Sequence, residues 1–220
     1  MRDDYKNRRA AVRKSHIQRL IENGEHQQQD FKFEINDARK IARSLVAFAN
    51  TDGGRLLIGV KDNGVIAGVR SEEELHMIEA AAHIYSRPRI KYSANTWNVD
   101  GKIVVEVVVE PGKQRPYSAS NEDGKYKVYL RKHDSNILAN RLLVRALRLR
   151  HSSKGVFMTL DREQQVLMDI LKDSEGITLS RFCKVAQITQ KHAEKIIVNL
   201  MALDIIDYKE EDLKTVYILK

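Results

Sequence analysis

The spacing of hydrophobic and polar positions over the first 150 residues predicts a mixed α/β unit. Short apolar or alternating runs are typical of strands, and apolar positions at i, i+3, i+4 and i+7 are typical of helices. Asp100-Gly101 between two β-rich runs predicts a hairpin. The predicted strands are 28–34, 55–61, 65–69, 90–98, 102–109 and 125–131; the predicted helices are 4–23, 37–50, 71–86 and 135–150; and 111–124 is predicted to be a long loop.

A different pattern follows residue 158. Helix 161–173 precedes a second helix that starts near Leu179 and a third that Thr189 caps. Two short strands, 205–208 and 215–219, flank a polar turn. This order predicts a winged helix-turn-helix. The expected organisation is an α/β (α+β) domain over 1–150, with helices packed on a mixed sheet, and a small winged helix over 158–220.

One stretch of the first domain carries a specific combination of motifs. Asp30-Phe31-Lys32 is followed by Ala47-Phe48-Ala49-Asn50-Thr51, Gly53-Gly54, Ile58-Gly59-Val60 and Asp62-Asn63-Gly64. Arg115-Pro116-Tyr117, Tyr129-Leu130-Arg131 and Ser135-Asn136 come later. In this order, the motifs resemble the Schlafen AlbA-type domain. The resemblance covers roughly residues 15 to 140 and implies an AlbA-like fold that binds nucleic acid.

Charge agrees with a polyanionic partner. The chain has a formal net charge of +8. Residues 158–220 hold 9 basic and 11 acidic side chains, and residues 1–157 hold 29 and 19, a net of +10. Nucleic acid is the expected partner of such a surface. The single cysteine excludes an internal disulfide, the charged N-terminus is unlike a secretory signal, and no apolar run reaches the ~18 residues of a membrane span. We therefore expect a cytoplasmic protein without a membrane partner.

Candidate nucleic-acid contacts fall into three groups. Basic and aromatic side chains mix around the long loop, which suits phosphate contact with base stacking. Three arginines recur at i, i+4 and i+7 on the closing helix, and the third helix of the winged unit offers groups that read bases. The predicted contacts are Lys113, Arg115, Tyr117, Lys127, Tyr129, Arg131 and Lys132; Arg141, Arg145 and Arg148; and Gln190, Lys191, Lys195 and Asn199.

The resemblance also implies an enzymatic alternative. Glu25, Asp30 and Asp62 match the places of three carboxylates in Schlafen nucleases, with Asp instead of Glu at position 30. Converging carboxylates could bind Mg²⁺ or Mn²⁺ and activate water. The interpretation that these are solvated carboxylates at strand ends, without a catalytic role, is favoured. The nucleases of the family use two lobes that each resemble this domain, and this chain has one. We therefore expect no cofactor and no catalytic or metal-binding residue outside this alternative.

The resulting functional expectation is a nucleic-acid-binding protein, with a DNA-binding transcriptional regulator as the favoured function. RNA is the second candidate ligand, and a metal-dependent endoribonuclease is the alternative function. The acidic turn Glu210-Glu211-Asp212 would repel phosphates. The winged helix is therefore also a candidate for a protein contact or for formation of a homodimer.

Overall fold

The computed structural model describes residues 14–69, 73–152, 155–156, 161–212 and 214–220. The described part contains two α/β units in sequence. The elements are α1 His16–Glu22, β1 Gln29–Lys32, α2 Ala38–Asn50, β2 Gly54–Ile58, α3 Glu73–His83, β3 Ser86–Arg87, β4 Ser93–Val99, β5 Lys102–Val109, β6 Ser118–Ser120, β7 Tyr126–Lys127, β8 Tyr129–Lys132, β9 Ser135–Leu138, α4 Arg141–Arg150, α5 Arg162–Asp173, β10 Ile177–Thr178, α6 Leu179–Ala186, α7 Gln190–Ala202, β11 Ile206–Glu211 and β12 Lys214–Leu219.

A four-stranded mixed sheet organises the first unit, with strand order β1-β2-β5-β4. β1 runs parallel to β2, and the other pairs are antiparallel. The buried side chains of α2 pack on one face of this sheet, against Leu56, Ile58 and Val107 among others. Ile17 of α1 packs on the opposite face with Phe31 and Leu57. The two inner strands, β2 and β5, are therefore covered on both faces and are mainly apolar.

Helix α2 begins and ends where its sequence provides caps. The side chain of Asp37 accepts a hydrogen bond from the backbone N–H of Arg39 at the start. After Asn50 the chain turns through Gly53, which has a φ of +72°. A Cβ atom on Gly54 would lie 2.4 Å from the Phe48 ring. The double glycine thus supplies both the turn and the close approach of helix to strand.

Helix α1 is held to the sheet by a buried carboxylate. Glu106 of β5 is 4% exposed. It accepts a hydrogen bond from Trp97 Nε1 at 3.0 Å and contacts His16 Nε2 at 3.3 Å and Arg55 at 3.4 Å. Because a buried carboxylate needs such partners, Glu106 fixes this helix on the face that it covers.

The second unit has the order helix, strand, helix, helix, hairpin, and its sheet has the order β10-β12-β11. Its core contains Phe182, Ile197 and Tyr217. Leu142 and Ala146 of α4 lie in the same core. The helix that was expected to close the first domain thus packs with the second unit. The winged-helix assignment and the division at residue 150 stay predictions.

Several predicted elements differ from the structure. Helix 4–23 is described only from residue 14, and its first ten residues lie outside the described part. The expected strand 65–69 reduces to one bridge between Val60 and Ile66. The long loop contains β6, and strand 125–131 is split between β7 and β8. The predicted helix 135–150 starts instead at Arg141, because 135–138 pairs with β8 across a turn in which His133 has a φ of +57°.

Within the described ranges, none of the helices combines the length and the apolar character that crossing a membrane requires.

Candidate nucleic-acid interface

A buried polar network joins four elements of the first unit. Asp30 of β1 lies 3.4 Å from Arg131 of β8 and 3.2 Å from the hydroxyl of Ser44 on α2. Asn136 of β9 donates to Ser44 at 2.9 Å and accepts from Arg131 at 3.2 Å. The guanidinium of Arg131 also donates to the carbonyl of Gln29 at 3.0 Å. The network satisfies charges that burial would otherwise make costly.

Arg131 was predicted to contact nucleic acid, and its position in the structure contradicts that prediction. Its side chain is 1% exposed, and its guanidinium lies 5.3 Å from the centre of the Phe48 ring. A side chain so enclosed cannot reach a phosphate from this conformation. Arg131 instead neutralises Asp30.

Tyr117 is also buried, which removes it from the predicted contacts. The side chain of Asn50 explains its position: it donates to the carbonyls of Tyr117 and Tyr129 and accepts from the N–H of Tyr117 at 2.7 Å. The tyrosine ring fills space beside Gly112, where a Cβ atom would lie 2.2 Å away. Asn50 and Tyr117 therefore fasten the long loop to the end of α2.

The three carboxylates of the enzymatic alternative do not come together. Glu25 and Asp30 are neighbours, and the Glu25 carboxylate accepts from the N–H of Phe31 at 2.8 Å. Burial first, and the adjacent Asp30 second, raise the pKa of Glu25. Asp62, however, is exposed in a turn beyond the end of β2. In the parallel ladder, Asp30 is paired with Leu56 and Lys32 with Ile58. Asp62 follows Ile58 in the chain and therefore lies past the end of this ladder.

One other set of side chains has a spacing that suits a metal ion. Asp161, Glu163 and His192 place ligand atoms within 4.8 Å of one another, and this is the one such group of three in the described residues. Asp161 already accepts a hydrogen bond from the N–H of Gln164 as the cap of α5. Glu25, Asp30 and Asp62 do not form a group of this kind.

Arginine and tyrosine side chains form a surface beside α2. Arg39 lies over Tyr85 at 4.7 Å from the ring centre, and Arg87 lies over Tyr126 at 4.4 Å. Arg43 lies 5.9 Å from the centre of the Tyr129 ring. All three distances suit cation–π contact. We call this set, with the exposed Lys127, the Arg–Tyr surface: Arg39, Arg43, Tyr85, Arg87, Tyr126, Lys127 and Tyr129.

Secondary structure holds the Arg–Tyr surface in place. Arg39 and Arg43 are one helical turn apart on α2 and share a face. Ser120 of β6 donates to the carbonyl of Tyr85 and is paired with Tyr126 of β7. The hydroxyl of Tyr126 donates to the carbonyl of Ile84 at 3.2 Å. Cationic groups stacked on fixed aromatic rings can contact phosphates and stack with bases.

The remaining residues predicted around the long loop are dispersed. Lys127 and Tyr129 belong to the Arg–Tyr surface. Arg115 and Lys132 line a cleft of about 390 Å³ between the two units, and Arg115 Nε donates to the carbonyl of Gly112. Lys113 lines a second cleft, of about 340 Å³. The sequence placed these five in one group, whereas the structure distributes them over three places.

The arginines of α4 contact α7. Arg145 lies 3.0 Å from Glu194, which Arg141 also contacts. Burial alone would raise the pKa of Glu194, but hydrogen bonds from Gln190 and Arg141 and the charges of both arginines lower it. Arg150 donates to the carbonyls of Met201 and Ala202. Arg148 is exposed. Two of the three arginines in the predicted stripe are thus engaged within the protein.

Helix α7 is covered on two sides. Ala193, Ile197 and Leu200 face the core of the second unit, and α4 covers Glu194 and the helix end. Of the base-reading candidates, Gln190 donates to Glu194 at 3.1 Å and Asn199 is half-buried. Lys191 and Lys195 are exposed. The free face of this helix is therefore narrow and basic.

Sequence reasoning missed Arg39, Arg43, Tyr85, Arg87 and Tyr126. One local signal was present, because two arginines spaced i, i+4 on the polar side of α2 predict a shared basic face. The tyrosines carry no comparable signal. Their neighbours on this surface come from other elements, and only the tertiary fold brings them together.

Comparison with known families identifies the first unit. Residues 25–140, just over half of the chain, match the family described as Schlafen, AlbA_2. The chain therefore belongs to the Schlafen AlbA_2 family, as the sequence motifs implied. This family makes nucleic-acid binding the functional class of the first unit. The match ends before α4 and does not cover the second unit.

Two solved structures show partial similarity. The DIP2311 protein from Corynebacterium diphtheriae is 19% identical, with a TM-score of 0.45; the match covers 70% of this chain and 37% of that one. The N-terminal domain of an ATP-dependent DNA helicase RecG-related protein from Nitrosomonas europaea is 16% identical, with a TM-score of 0.36; the match covers 68% of this chain and 99% of that one. Neither is close enough to support a conclusion about this chain. No curated protein sequence gives a significant match.

Proposed function

We propose that the protein binds nucleic acid through the Arg–Tyr surface and acts as a DNA-binding transcriptional regulator. The observation that carries the binding proposal is the set of three arginine–tyrosine stacks on one side of the Schlafen AlbA_2 unit. Arginine on a ring keeps its charge for phosphate, and the half-buried rings offer their exposed parts to a base or sugar.

The charge of the surface supports the same ligand. Arg39, Arg43, Arg87 and Lys127 are four cations, and among the described residues their one ion pair is that of Arg43 with Glu122, whose oxygen is 4.0 Å away. Glu122 is on an exposed turn, so this ion pair is weak. A polyanion can replace such a contact at little cost. A single free phosphate would use only part of the surface, whereas a strand could follow it.

The regulatory role rests on the second unit. Its helix–helix–hairpin order is one that DNA-reading modules use, and Lys191 and Lys195 lie on the exposed side of α7. The coverage of α7 by α4 favours backbone contact over deep insertion in a groove. Formation of a homodimer through this unit, predicted from the acidic turn between β11 and β12, stays a separate prediction that the structure does not test.

The test compares affinities of the full chain for DNA and RNA of one sequence, each single- and double-stranded, over a range of salt concentrations. Replacing both Arg39 and Arg87 with alanine should weaken binding to each of these probes. The slope of log affinity against log salt on duplex DNA should decrease by about two units, roughly one for each lost phosphate contact. Replacing Tyr126 with alanine should weaken single-strand binding more than duplex binding.

Two controls sharpen this test. Lys184 of α6 is exposed in the second unit, and Lys184→Ala removes a charge without touching the Arg–Tyr surface; it should leave the slope nearly unchanged. Tyr126→Phe keeps the ring and should retain most of the single-strand affinity. An unchanged slope in the double arginine variant would refute this surface. Cleavage of the probes in Mg²⁺, stopped by EDTA, would favour the endoribonuclease instead.

A further inference from the structure

The two edge strands of the four-stranded sheet, β1 and β4, differ in whether their outward backbone groups have hydrogen-bond partners. On β1, the outward backbone groups have partners: the N–H of Phe31 donates to Glu25, and the carbonyl of Gln29 accepts from Arg131 and from the N–H of His26. Charged side chains therefore cover that edge, which is a common protection against pairing with another chain.

The opposite edge, β4, has no such cover in the described part of the chain. The strand Ser93–Val99 is seven residues long and contains no charged residue and no proline. Five of its residues are exposed, and β5 is its one neighbour in the sheet. A long, uncharged and unprotected edge is a template for a further strand.

The hairpin fixes which backbone groups point outward. Val99 and Lys102 close a two-residue loop in which Asp100 and Gly101 both have positive φ, of 52° and 80°. In such a hairpin the closing residues form a hydrogen-bonded pair, and the pattern alternates along the strand. The free N–H and C=O groups of β4 are therefore those of Ala94, Thr96 and Asn98.

We propose that β4 pairs antiparallel with β4 of a second copy of this chain, with the two-fold axis at Thr96, to form a continuous eight-stranded sheet. In this register Thr96 faces Thr96 and Ala94 faces Asn98, which gives about six backbone hydrogen bonds. Such an isologous contact closes on itself and leaves no further β4 edge.

Flanking charges select a second copy as the occupant. Lys91 precedes the strand and Asp100 follows it directly. An antiparallel self-pairing brings Lys91 of each copy alongside Asp100 of the other, whereas a parallel pairing would place like charges together. Opposite charges beside a ladder stabilise the pairing and fix its direction.

The contact would also arrange the two nucleic-acid-binding units. The two-fold axis of an antiparallel strand pair is perpendicular to the sheet, so both copies of α2 lie on the same side of it. The contact itself involves none of the residues of the Arg–Tyr surface. It can therefore be tested in the absence of nucleic acid, and its failure would leave the binding proposal intact.

The experiment measures the mass of the full chain in solution by sedimentation or light scattering over a wide concentration range. We expect a species of twice the chain mass of 25.3 kDa. Thr96→Lys places two like charges on the axis and should raise the dissociation constant by about tenfold or more. Thr96→Pro removes an outward N–H while sparing the ladder to β5, and should act in the same direction.

Val185→Lys is the matched control, because Val185 is an exposed residue of α6 in the second unit. It adds the same charge and should leave the dimer unchanged. Thermal unfolding of each variant shows that the fold is retained. A chain that stays monomeric, or a dimer that Val185→Lys disrupts and Thr96→Lys does not, would overturn the proposal.

Discussion

The contacts of Asp30 explain why an acidic residue precedes Phe31-Lys32. Arg131 lies 3.4 Å away, Lys32 lies 3.0 Å away, and Ser44 donates a hydrogen bond. The Lys32 side chain is 35% exposed, whereas that of Arg131 is 1% exposed. The Asp30–Arg131 pair is thus the buried one, and loss of either partner would leave the other charge buried without a counter-ion. The signature that identifies the family is, at these positions, a set of structural contacts.

Replacing Asp30 with asparagine should therefore destabilise the first unit. The amide keeps the size and a hydrogen bond to Ser44 but leaves Arg131 buried without its counter-ion, at a cost of about 3–5 kcal/mol. Urea unfolding of the full chain measures this change. Asp62→Asn, in an exposed turn, is the control and should change stability by less than about 0.5 kcal/mol. Equal stabilities of the two variants would show that the Asp30–Arg131 pair is not structural.

At the scale of elements, local patterns predicted what local interactions determine. Helix α2 and strands β2 and β5 follow from their apolar spacing. The sequence could not show that Arg141 and Arg145 would meet Glu194, about 50 residues later. From spacing alone these arginines form a solvated basic stripe. The short strands β3, β6 and β9 were missed for a different reason, because two to four residues carry little periodic signal.

The contact between α4 and α7 should weaken in acid. Because the pKa of Glu194 is lowered in the folded chain from its ordinary value of 4.5, the ionised carboxylate stabilises the contact fully above that value. The stabilisation is lost as the pH falls from 4.5 through the folded pKa. The protection of α4 amides from hydrogen exchange, measured relative to the intrinsic rate at each pH, should therefore decrease over this range. In Glu194→Gln, protection should be lower at neutral pH and should change less between neutral and acid pH, and an unchanged profile of protection against pH would contradict this role.

For the whole molecule, the position of α4 changes the distribution of charge. If α4 is counted with the second unit, against which it packs, residues 141–220 hold 14 basic and 11 acidic side chains, and residues 1–140 hold 24 and 19. The net charges are +3 and +5, instead of the −2 and +10 that a boundary after α4 gives. Both units are then mildly basic. A short basic stretch between two units cannot be assigned to either from sequence, because assignment depends on which core its apolar face enters.

Fragments of the second unit should accordingly differ in stability. A fragment of residues 141–220 keeps Leu142 and Ala146 in the core that contains Ile197 and Phe182, whereas a fragment of residues 158–220 leaves that side of α7 exposed and Glu194 without its arginines. Loss of a buried leucine alone costs about 2–5 kcal/mol, and 1 kcal/mol lowers the melting temperature of a domain of this size by about 4–8 °C. We expect the longer fragment to melt cooperatively. The shorter fragment should lose at least about 2 kcal/mol of stability, and should therefore melt about 10 °C lower or more, or be unfolded. Circular dichroism melts of both fragments, with Leu142→Ala in the longer one as an intermediate case, measure the difference. Equal melting temperatures would place the boundary after α4, as the sequence pattern predicted. The arginines of α4 would then belong to the first unit.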